Sequence, residues 1–294
     1  MRSVDTVVAA AVLGARTVLD VRGDAAFAAG HLAGSGHVPA EALKERRTEL
    51  PARDRPMLVV AARGSEARAA AGTLEQLGYA DVVALDAPIE QLPGGLDERG
   101  PAARLWRPAP FLEWALARFR ARLPAGPAAD IAAGSGRDAV FLALEGLEVE
   151  AFDHDPGALA RATALAARHG VTITAVERDL ERSATPLPRS RYALIVCFRF
   201  LHRPLLPAIA AALAPGGMLI YETYKVGQER FGRPLSRRFL LSDGELAAAF
   251  PTLETLHVEE SEPPEGPITA RLVARRPAGP LRPEERPGDE AAFK

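Results

Sequence analysis

Two glycines and a carboxylate that follows a predicted strand carry the clearest chemical signal in the sequence. Residues Asp130 to Ala139 read DIAAGSGRDA, a short apolar strand followed by a glycine turn and the start of a helix. Gly134 and Gly136 allow a ligand to approach the backbone closely, and amides at a helix start favour a carboxylate or a phosphate. Nineteen residues after Gly134, the strand VEAFD ends in Asp153, whose carboxylate can accept hydrogen bonds from two ribose hydroxyls. We therefore expect a nucleotide-like ligand.

The glycine turn alone does not decide which nucleotide binds. Gly134, Gly136 and Ala139 also satisfy the GxGxxA form of the dinucleotide fingerprint, which is a weak signal by itself. An NAD(P)-dependent oxidoreductase is therefore an alternative, and so is a non-enzymatic binding protein. In the plainest interpretation, the glycines only permit a tight turn, and Asp153 and Asp179 are ordinary carboxylates at strand ends.

The elements around the turn alternate regularly. A helix over residues 110–123, PFLEWALARFRARL, precedes short apolar strands separated by segments rich in alanine and leucine. The strands read ADIAA, VEAFD, TITAV, ALIVCF and MLIYET. This alternation predicts an open, mostly parallel α/β sheet covered by helices, in which ligands bind beyond the carboxyl ends of the strands.

Three further features accompany the turn. Asp130 lies four residues before the first glycine, Asp179-Leu180 follows the third predicted strand, and LAPGGMLIYE has the pattern of a loop and a fifth strand. With these motifs, residues 104–276 resemble the class I methyltransferases. The resemblance implies a Rossmann-like domain with a mostly parallel seven-stranded sheet and S-adenosyl-L-methionine as cofactor. The cofactor-binding residues that it implies are Asp130, Ala132, Gly134, Gly136, Asp153, His154, Asp179, Leu180 and Phe198.

Longer segments narrow the resemblance. FRFLHRPLLPAI (198–209), YETYKVGQERFGRP (221–234) and FLLSDGEL (239–246) resemble the tellurite-resistance-type branch of these methyltransferases. The segment RLWRPAPFLEW (104–114) resembles the one that leads into such domains. Ala132 departs from the family motif, which often has glycine there. Its methyl group is tolerable at a negative φ and otherwise crowds the methionine part of the cofactor.

The methyl acceptor is expected beyond the fourth and fifth strands. Methyl transfer displaces sulfur from a sulfonium carbon and needs alignment and exclusion of water more than acid or base groups. A soft nucleophile such as a thiol, or a selenium or tellurium oxyanion, therefore requires no strong base. Aromatic rings can border the positive sulfonium methyl, and arginines can hold an anionic acceptor.

The candidate residues for the acceptor pocket are Arg199, His202, Tyr221, Tyr224 and Arg233, with Trp106 and Arg107 as a lid. Glu222 is an alternative that would orient a hydroxyl or an amine. No spacing rule selects these residues, so a structural cluster of aromatic and basic side chains is an equal alternative. His202 and Arg203 can equally brace the following helix. Cys197 lies within an apolar strand, which favours a packed core thiol.

The first hundred residues form a separate β/α block. It contains the strands TVLDV (17–21), MLVVA (57–61) and DVVAL (81–85), with a helix over about 66–77. Within it, LDVRGDAAFAAGHLAGSGHVPAEAL closely resembles the rhodanese family, over about residues 5–95. The residues that carry this resemblance are Asp20, Arg22, Phe27, Gly30, His31, Gly34 and Pro39.

One departure from the rhodanese pattern has chemical consequences. In that family, the loop after the central strand begins with the cysteine that carries the persulfide, and alignment on Gly64 places Ala61 there. Alanine has no lone pair to attack sulfur, so we expect no covalent sulfur transfer. The loop amides and Arg63 can still hold an anion, and the alternative is a docking or stabilising module for a protein partner.

Charge and cysteine content disfavour other classes. The chain has 294 residues, a formal net charge of -2 and one cysteine. The charge argues against a nucleic-acid or membrane partner, and a single cysteine supplies neither a disulfide framework nor a thiolate zinc site. We expect a small-molecule substrate, no metal and a cytoplasmic location. The apolar run after Asp5 is interpreted as a helix rather than a secretory signal.

These observations predict two α/β domains. A rhodanese-like domain, expected to be catalytically inactive, covers residues 1–98, and a linker covers 99–108. The methyltransferase domain covers residues 109–276. Residues 277–294 are rich in proline and charge, and we expect them to be disordered.

Overall fold

A computed structural model describes residues 2–6, 14–92, 96, 98–183 and 187–279. The predicted helix after Asp5 falls largely on residues 7–13, and most of the predicted tail falls on 280–294, so both lie outside the described residues. The chain divides into two units, Met1–Arg107 and Pro108–Lys294, and each is described by itself.

In the first unit, the described strands form a parallel five-stranded sheet in the order β1-β5-β4-β2-β3. The strands are β1 (Arg2–Val4), β2 (Thr17–Asp20), β3 (Gly36–His37), β4 (Met57–Val60) and β5 (Val82–Leu85). The helices are α1 (Asp24–Ala29) and α2 (Gly64–Gln76), with 3₁₀ turns at Ala40–Ala42, Arg47–Glu49 and Ile89–Gln91. Apolar residues pack on both faces of the sheet, which explains why β4 reads as the continuous apolar run MLVV.

A buried ion pair organises the segment after β2. Asp20 is fully buried and accepts a hydrogen bond from Nη2 of Arg22 at 2.7 Å. The same nitrogen donates to the carbonyl of Gly30 at 2.7 Å, and the rings of His31 and Phe27 stack with centroids 3.8 Å apart. Because a buried charge is stable only when it is paired, these contacts fix the chain between β2 and β3.

Part of the predicted linker packs with the first unit. Nε of Arg99 donates to the carbonyl of Ala29 at 3.2 Å, and the amide of Ala103 donates to the carbonyl of Ser35 at 2.9 Å. The unit ends at Arg107, close to the end of the segment predicted as the linker.

In the second unit, the described strands form a seven-stranded sheet in the order β11-β12-β10-β9-β6-β7-β8. The strands are β6 (Ala128–Ile131), β7 (Val149–Asp153), β8 (Thr174–Glu177), β9 (Tyr192–Phe198), β10 (Leu213–Tyr224), β11 (Glu254–Ser261) and β12 (Thr269–Arg275). The helices are α3 (Pro110–Phe119), α4 (Arg137–Leu144), α5 (Pro156–Arg168), α6 (Leu206–Ala212) and α7 (Glu245–Ala248). Short 3₁₀ turns lie at Arg120–Arg122, Arg203–Leu205, Gln228–Arg230 and Arg237–Phe239.

All neighbouring strands of this sheet are parallel except those that pair with β12, which is antiparallel to β10 and to β11. The sheet matches the predicted, mostly parallel seven-stranded architecture. None of the described helices is long and apolar enough to cross a membrane.

The chain order creates a crevice beside β6. From β6 the chain proceeds through β7 to β8 at one edge, and β9 then pairs with the other side of β6. In open α/β sheets, such a reversal leaves a ligand-binding crevice at the carboxyl ends of the central strands. Gly136 permits close packing there, because it has φ +77° and an added Cβ would lie 2.4 Å from Cβ of Ala162 in α5.

Candidate active site

A cavity of about 330 Å³ lies at the carboxyl ends of β6, β7 and β8. Five of its lining residues were predicted from the sequence, namely Ala132, Asp153, His154, Asp179 and Leu180. Three were missed, namely Arg178, Glu181 and Phe200. Arg178 and Glu181 flank the predicted Asp179-Leu180 pair, so proximity in sequence was a usable signal for them, whereas nothing in the sequence distinguishes Phe200 from Phe198.

The carboxylate of Asp153 is held in place by two backbone amides. Its Oδ2 accepts from the amide of Gly134 at 2.8 Å, and its Oδ1 accepts from that of Asp155 at 2.9 Å. A carboxylate has about four acceptor positions, so two remain for the hydroxyls of a ribose. The Asp153 geometry therefore fits the nucleoside part of S-adenosylmethionine.

Asp130 presents a buried oxygen that has no partner. The residue is 2% exposed, and among the described residues no hydrogen-bond donor reaches its Oδ2. Burial raises the pKa of Asp130 well above its ordinary value, the charges of Asp138 and Asp153 raise it further, and the amide of Ala139 opposes the shift. A buried acceptor without a donor is costly. The ammonium group of a methionine moiety would satisfy it, so the site fits this end of the cofactor as well.

Ala132 has the backbone conformation that was expected to be unfavourable. Its φ is +58°, in the left-handed region where the Cβ of an L-residue is strained. The tolerance expected at a negative φ therefore does not apply. The structure explains why the related family motif often has glycine here, since the turn from β6 requires a positive φ at this position.

A second cavity, of about 360 Å³, follows β9 and β10. Its lining includes three predicted acceptor residues, Arg199, Tyr224 and Arg233, together with Phe200, Leu201, Pro234 and Phe239. Phe200 lines both cavities. The acceptor candidates and the cofactor candidates therefore meet at this phenylalanine.

Arg199 is fixed within this second cavity. Its Nη2 lies 2.7 Å from Oε1 of Glu222, and its Cζ lies 4.6 Å from the ring centroid of Tyr224. Its φ is +60°, a costly conformation for a residue other than glycine and one that often occurs at functional sites. Glu222 was an alternative for orienting a hydroxyl or an amine, but it is 2% exposed and its two oxygens contact Arg199 and Arg271.

Two other acceptor candidates lie outside the lining of this cavity. Tyr221 is fully buried, and its hydroxyl donates to the carbonyl of Phe200 at 2.9 Å, so it supports the loop rather than facing the cavity. Nδ1 of His202 lies 3.9 Å from Oε2 of Glu181. Arg203 braces a neighbouring segment by donating to the carboxylate of Glu245 and to the carbonyls of Arg238 and Leu240.

The remaining candidates differ in exposure. Trp106 is 2% exposed, with the guanidinium carbon of Arg104 5.0 Å from its ring centroid, and Arg107 ends the first unit. Their role as a lid stays a prediction. Phe198 is half-buried, and in the register of the sheet it lies opposite Glu222 of the neighbouring strand β10. Burial raises the pKa of the Cys197 thiol above its ordinary range, as expected for a core thiol.

In the first unit, Ala61 follows β4 directly and is 1% exposed. Its carbonyl accepts from the amide of Ile89 at 3.0 Å. The side chain of Arg63 is 77% exposed, and its Nε lies 3.4 Å from the carboxylate of Glu66. Arg63 therefore forms a surface ion pair beside the loop that was expected to hold an anion.

We expect Ala132→Gly to stabilise the protein. Relief of the left-handed strain gains about 1–2 kcal/mol, and the extra freedom of glycine in the unfolded chain removes part of this gain. The measurement is the free energy of unfolding in urea. Ala133→Gly is the matched control, because Ala133 is not among the residues with positive φ, and it should lower the stability. If both variants lose the same free energy of unfolding, the backbone of residue 132 is not strained.

We expect Asp130→Asn to stabilise the protein without ligand at neutral pH. The folded-state pKa of Asp130 is raised, so the wild type is destabilised as the pH rises from the ordinary aspartate value of about 3.9 through the raised value. The gain of the asparagine variant should therefore be absent below that window, grow as the pH rises through it, and stay constant above it. Unfolding free energies measured across pH test this.

The control for the Asp130 variant is Asp155→Asn. Asp155 caps α5 by accepting from the amide of Gly157, and asparagine caps a helix equally well. This control should show no comparable gain with pH. Asp130→Asn should also weaken binding of S-adenosylhomocysteine by at least about tenfold, since a charged partner of the ammonium is lost. A variant that binds normally would contradict the role of Asp130.

Family models match part of each unit. Residues 128–217 match the family model described as a methyltransferase domain, and residues 6–91 match the one described as a rhodanese-like domain. A curated protein, Hemagglutinin 1 of Eikenella corrodens, is 31% identical over 137 residues, which are 45% of each chain. The chain therefore spans less than half the length of that relative.

Solved structures also resemble part of the chain. An S-adenosylmethionine-dependent methyltransferase from Mesorhizobium loti is 22% identical with a TM-score of 0.44, covering 56% of this chain and 98% of that one. TehB from Haemophilus influenzae is 17% identical with a TM-score of 0.45, covering 56% and 61%. The family matches, together with the two sheets, show a rhodanese-like domain followed by a Rossmann-like methyltransferase domain. The carboxylates of Asp130 and Asp153 fit S-adenosylmethionine as the cofactor of the second domain.

Proposed function

We propose that the second domain methylates a small soft nucleophile, either a thiol or an oxyanion of selenium or tellurium. The observation that carries this proposal is the lining of the 360 Å³ cavity: none of its described lining residues is an aspartate, a glutamate or a histidine. Hydroxyl and amine acceptors must lose a proton and commonly rely on a nearby base. A thiol can lose its proton to bulk water and bind as the thiolate, and an oxyanion is already ionised. Neither acceptor needs a base within the cavity, so this cavity suits them better.

The chain's own residues would hold the cofactor at three points. Asp130 would accept from the ammonium group, Asp153 would bind the ribose, and Asp179-Leu180 would border the adenine, as the methyltransferase resemblance implies. When bound, S-adenosylmethionine supplies an electrophilic methyl group on a positively charged sulfur.

Positioning is the main contribution of the residues around the acceptor. Phe200 lines both cavities, and the hydroxyl of Tyr221 holds its carbonyl in place. Arg199 and Arg233 supply positive charge for an anionic acceptor, and the aromatic ring of Tyr224 supports the guanidinium of Arg199. The apolar side chains Leu201 and Phe239 keep water away from the nucleophile.

For the first domain, we propose a role without sulfur transfer. The single cysteine of the chain is Cys197, in the second domain, and Ala61 stands where the rhodanese resemblance implies the nucleophile. Docking of a protein partner is favoured over anion binding, because Arg63 is largely exposed and already pairs with Glu66. The small-molecule chemistry then belongs to the second domain.

Calorimetric titration distinguishes the methyltransferase from the oxidoreductase alternative. We expect binding of S-adenosylhomocysteine and no binding of NAD. Asp153→Asn should weaken binding of S-adenosylhomocysteine by about tenfold or more, because the ribose loses a charged acceptor. Glu150→Gln is the control, since Glu150 lies on the same strand and bonds the hydroxyl of Tyr192 at 2.6 Å. Binding of NAD alone would overturn the proposal.

The preference for soft nucleophiles is tested with 2-mercaptoethanol and ethanolamine, which differ only in the nucleophilic group, and with selenite as an oxyanion. We expect 2-mercaptoethanol and selenite to be methylated, and ethanolamine to react at least about a hundredfold more slowly, because a missing general base typically costs this much. The measurement is the formation of S-adenosylhomocysteine with each acceptor at one pH. A preference for ethanolamine would show that a base outside the described cavity lining operates.

A further inference from the structure

We refer to the 360 Å³ cavity lined by Arg199, Tyr224 and Arg233 as the acceptor cavity. A row of alternating charges crosses the sheet next to it. Glu259 of β11 pairs in register with Arg271 of β12, which pairs in register with Glu222 of β10. Nη1 of Arg271 lies 3.3 Å from Oε1 of Glu259, and its Nε lies 2.5 Å from Oε2 of Glu222. The other oxygen of Glu222 lies 2.7 Å from Nη2 of Arg199. We refer to these four residues as the charge row.

The buried carboxylate of the charge row is shared by two guanidinium groups. Glu222 is 2% exposed and needs only one cation for neutrality, yet two guanidinium groups contact it. Glu259 has a side chain 44% exposed, so water screens its interaction with Arg271. The half-buried carboxyl of Asp138 is also close enough for the charges of Glu222 and Arg199 to act on its pKa, which burial raises. Arg271 therefore shares Glu222 with Arg199, so Glu222 compensates each of the two guanidinium groups only in part.

Of the two guanidinium groups on Glu222, that of Arg199 faces the cavity. The side chain of Arg199 is 36% exposed and lines the acceptor cavity, whereas Arg271 packs 5.6 Å from the ring centroid of Phe111 in α3. Glu222 holds Arg199 twice, through its carboxylate and through its carbonyl, which accepts from the amide of Arg199 at 2.9 Å. A guanidinium has five N–H donors, so those that face the cavity can bind an anion.

We propose that Arg271 is a positioning residue that sets the charge of the acceptor cavity. By sharing Glu222, it leaves the positive charge of Arg199 only partly compensated, and this charge selects an acceptor bearing a negative charge. Arg271 does not line the cavity and acts only through Glu222. Without Arg271, the charge of Arg199 is cancelled by Glu222. This inference rests on the proposed methyltransferase function and names the charge of its acceptor.

The test is the dissociation constant of selenite for protein saturated with S-adenosylhomocysteine, measured by calorimetry. We expect Arg271→Gln to weaken selenite binding by about tenfold, the equivalent of one charge-assisted hydrogen bond. The double variant Glu222→Gln with Arg271→Gln should recover most of the affinity, because the net charge beside Arg199 is restored. Arg271→Lys should retain the affinity, since the positive charge is kept.

The matched control is Arg275→Gln. Arg275 lies on the same strand and pairs with Glu254 at 2.7 Å, and this pair is separate from the charge row. Its loss should leave selenite binding unchanged. In the turnover assay, Arg271→Gln should raise KM for an anionic thiol, mercaptopropionate, and leave KM for the neutral thiol mercaptoethanol unchanged.

Three results would overturn the role of Arg271. They are normal selenite binding by Arg271→Gln, no recovery in the double variant, and an equal rise in KM for both thiols. Wild-type protein that binds S-adenosylhomocysteine but not selenite would refute this inference alone. Failure to bind S-adenosylhomocysteine would instead refute the proposed methyltransferase function, so the two failures are distinguishable.

Discussion

Two backbone amides converge on the carboxylate of Asp153, and the cofactor side of the site depends on this convergence. The amides come from Gly134, in the turn after β6, and from Asp155, the cap of α5. One side chain therefore ties together the ends of two central strands and the start of a helix. Because the backbone orients this carboxylate, its remaining acceptor positions point in fixed directions. The entropy cost of ordering the side chain is therefore part of folding and is not added when a ligand binds.

Local signals in the sequence were sufficient for this part of the molecule. A strand, a glycine turn and a carboxylate at the end of the next strand are linked by a few residues each, and their geometry follows from the pattern of the fold. The same reasoning predicted Ala132, His154 and the pair at residues 179–180, all of which line the 330 Å³ cavity. The strands β11 and β12 lacked an equally clear pattern, and only the resemblance to a seven-stranded family implied them.

The acceptor side depends on contacts between residues distant in sequence, which local patterns do not specify. Tyr221 and Glu222 are neighbours on β10, and side chains alternate between the two faces of a strand. The sequence does not reveal which of the two faces the core, and the structure shows that Tyr221 packs with Phe250 while Glu222 meets two arginines. The partner Arg271 is 49 residues away from Glu222, so no spacing rule indicated it.

Opposite charges on the two sides of Phe200 suit the proposed chemistry. The 330 Å³ cavity is lined by the carboxylates of Asp153, Asp179 and Glu181 and by one guanidinium, that of Arg178. The described lining of the 360 Å³ cavity contains Arg199 and Arg233 and no carboxylate. A cationic sulfonium and an anionic nucleophile would each face groups of opposite sign, and both lose their charge as the methyl group moves. Water stabilises separated charges and so slows a reaction that cancels them. Apolar side chains around the acceptor, including Phe200 and Phe239, exclude that water and thereby favour the neutral products without any group that accepts a proton.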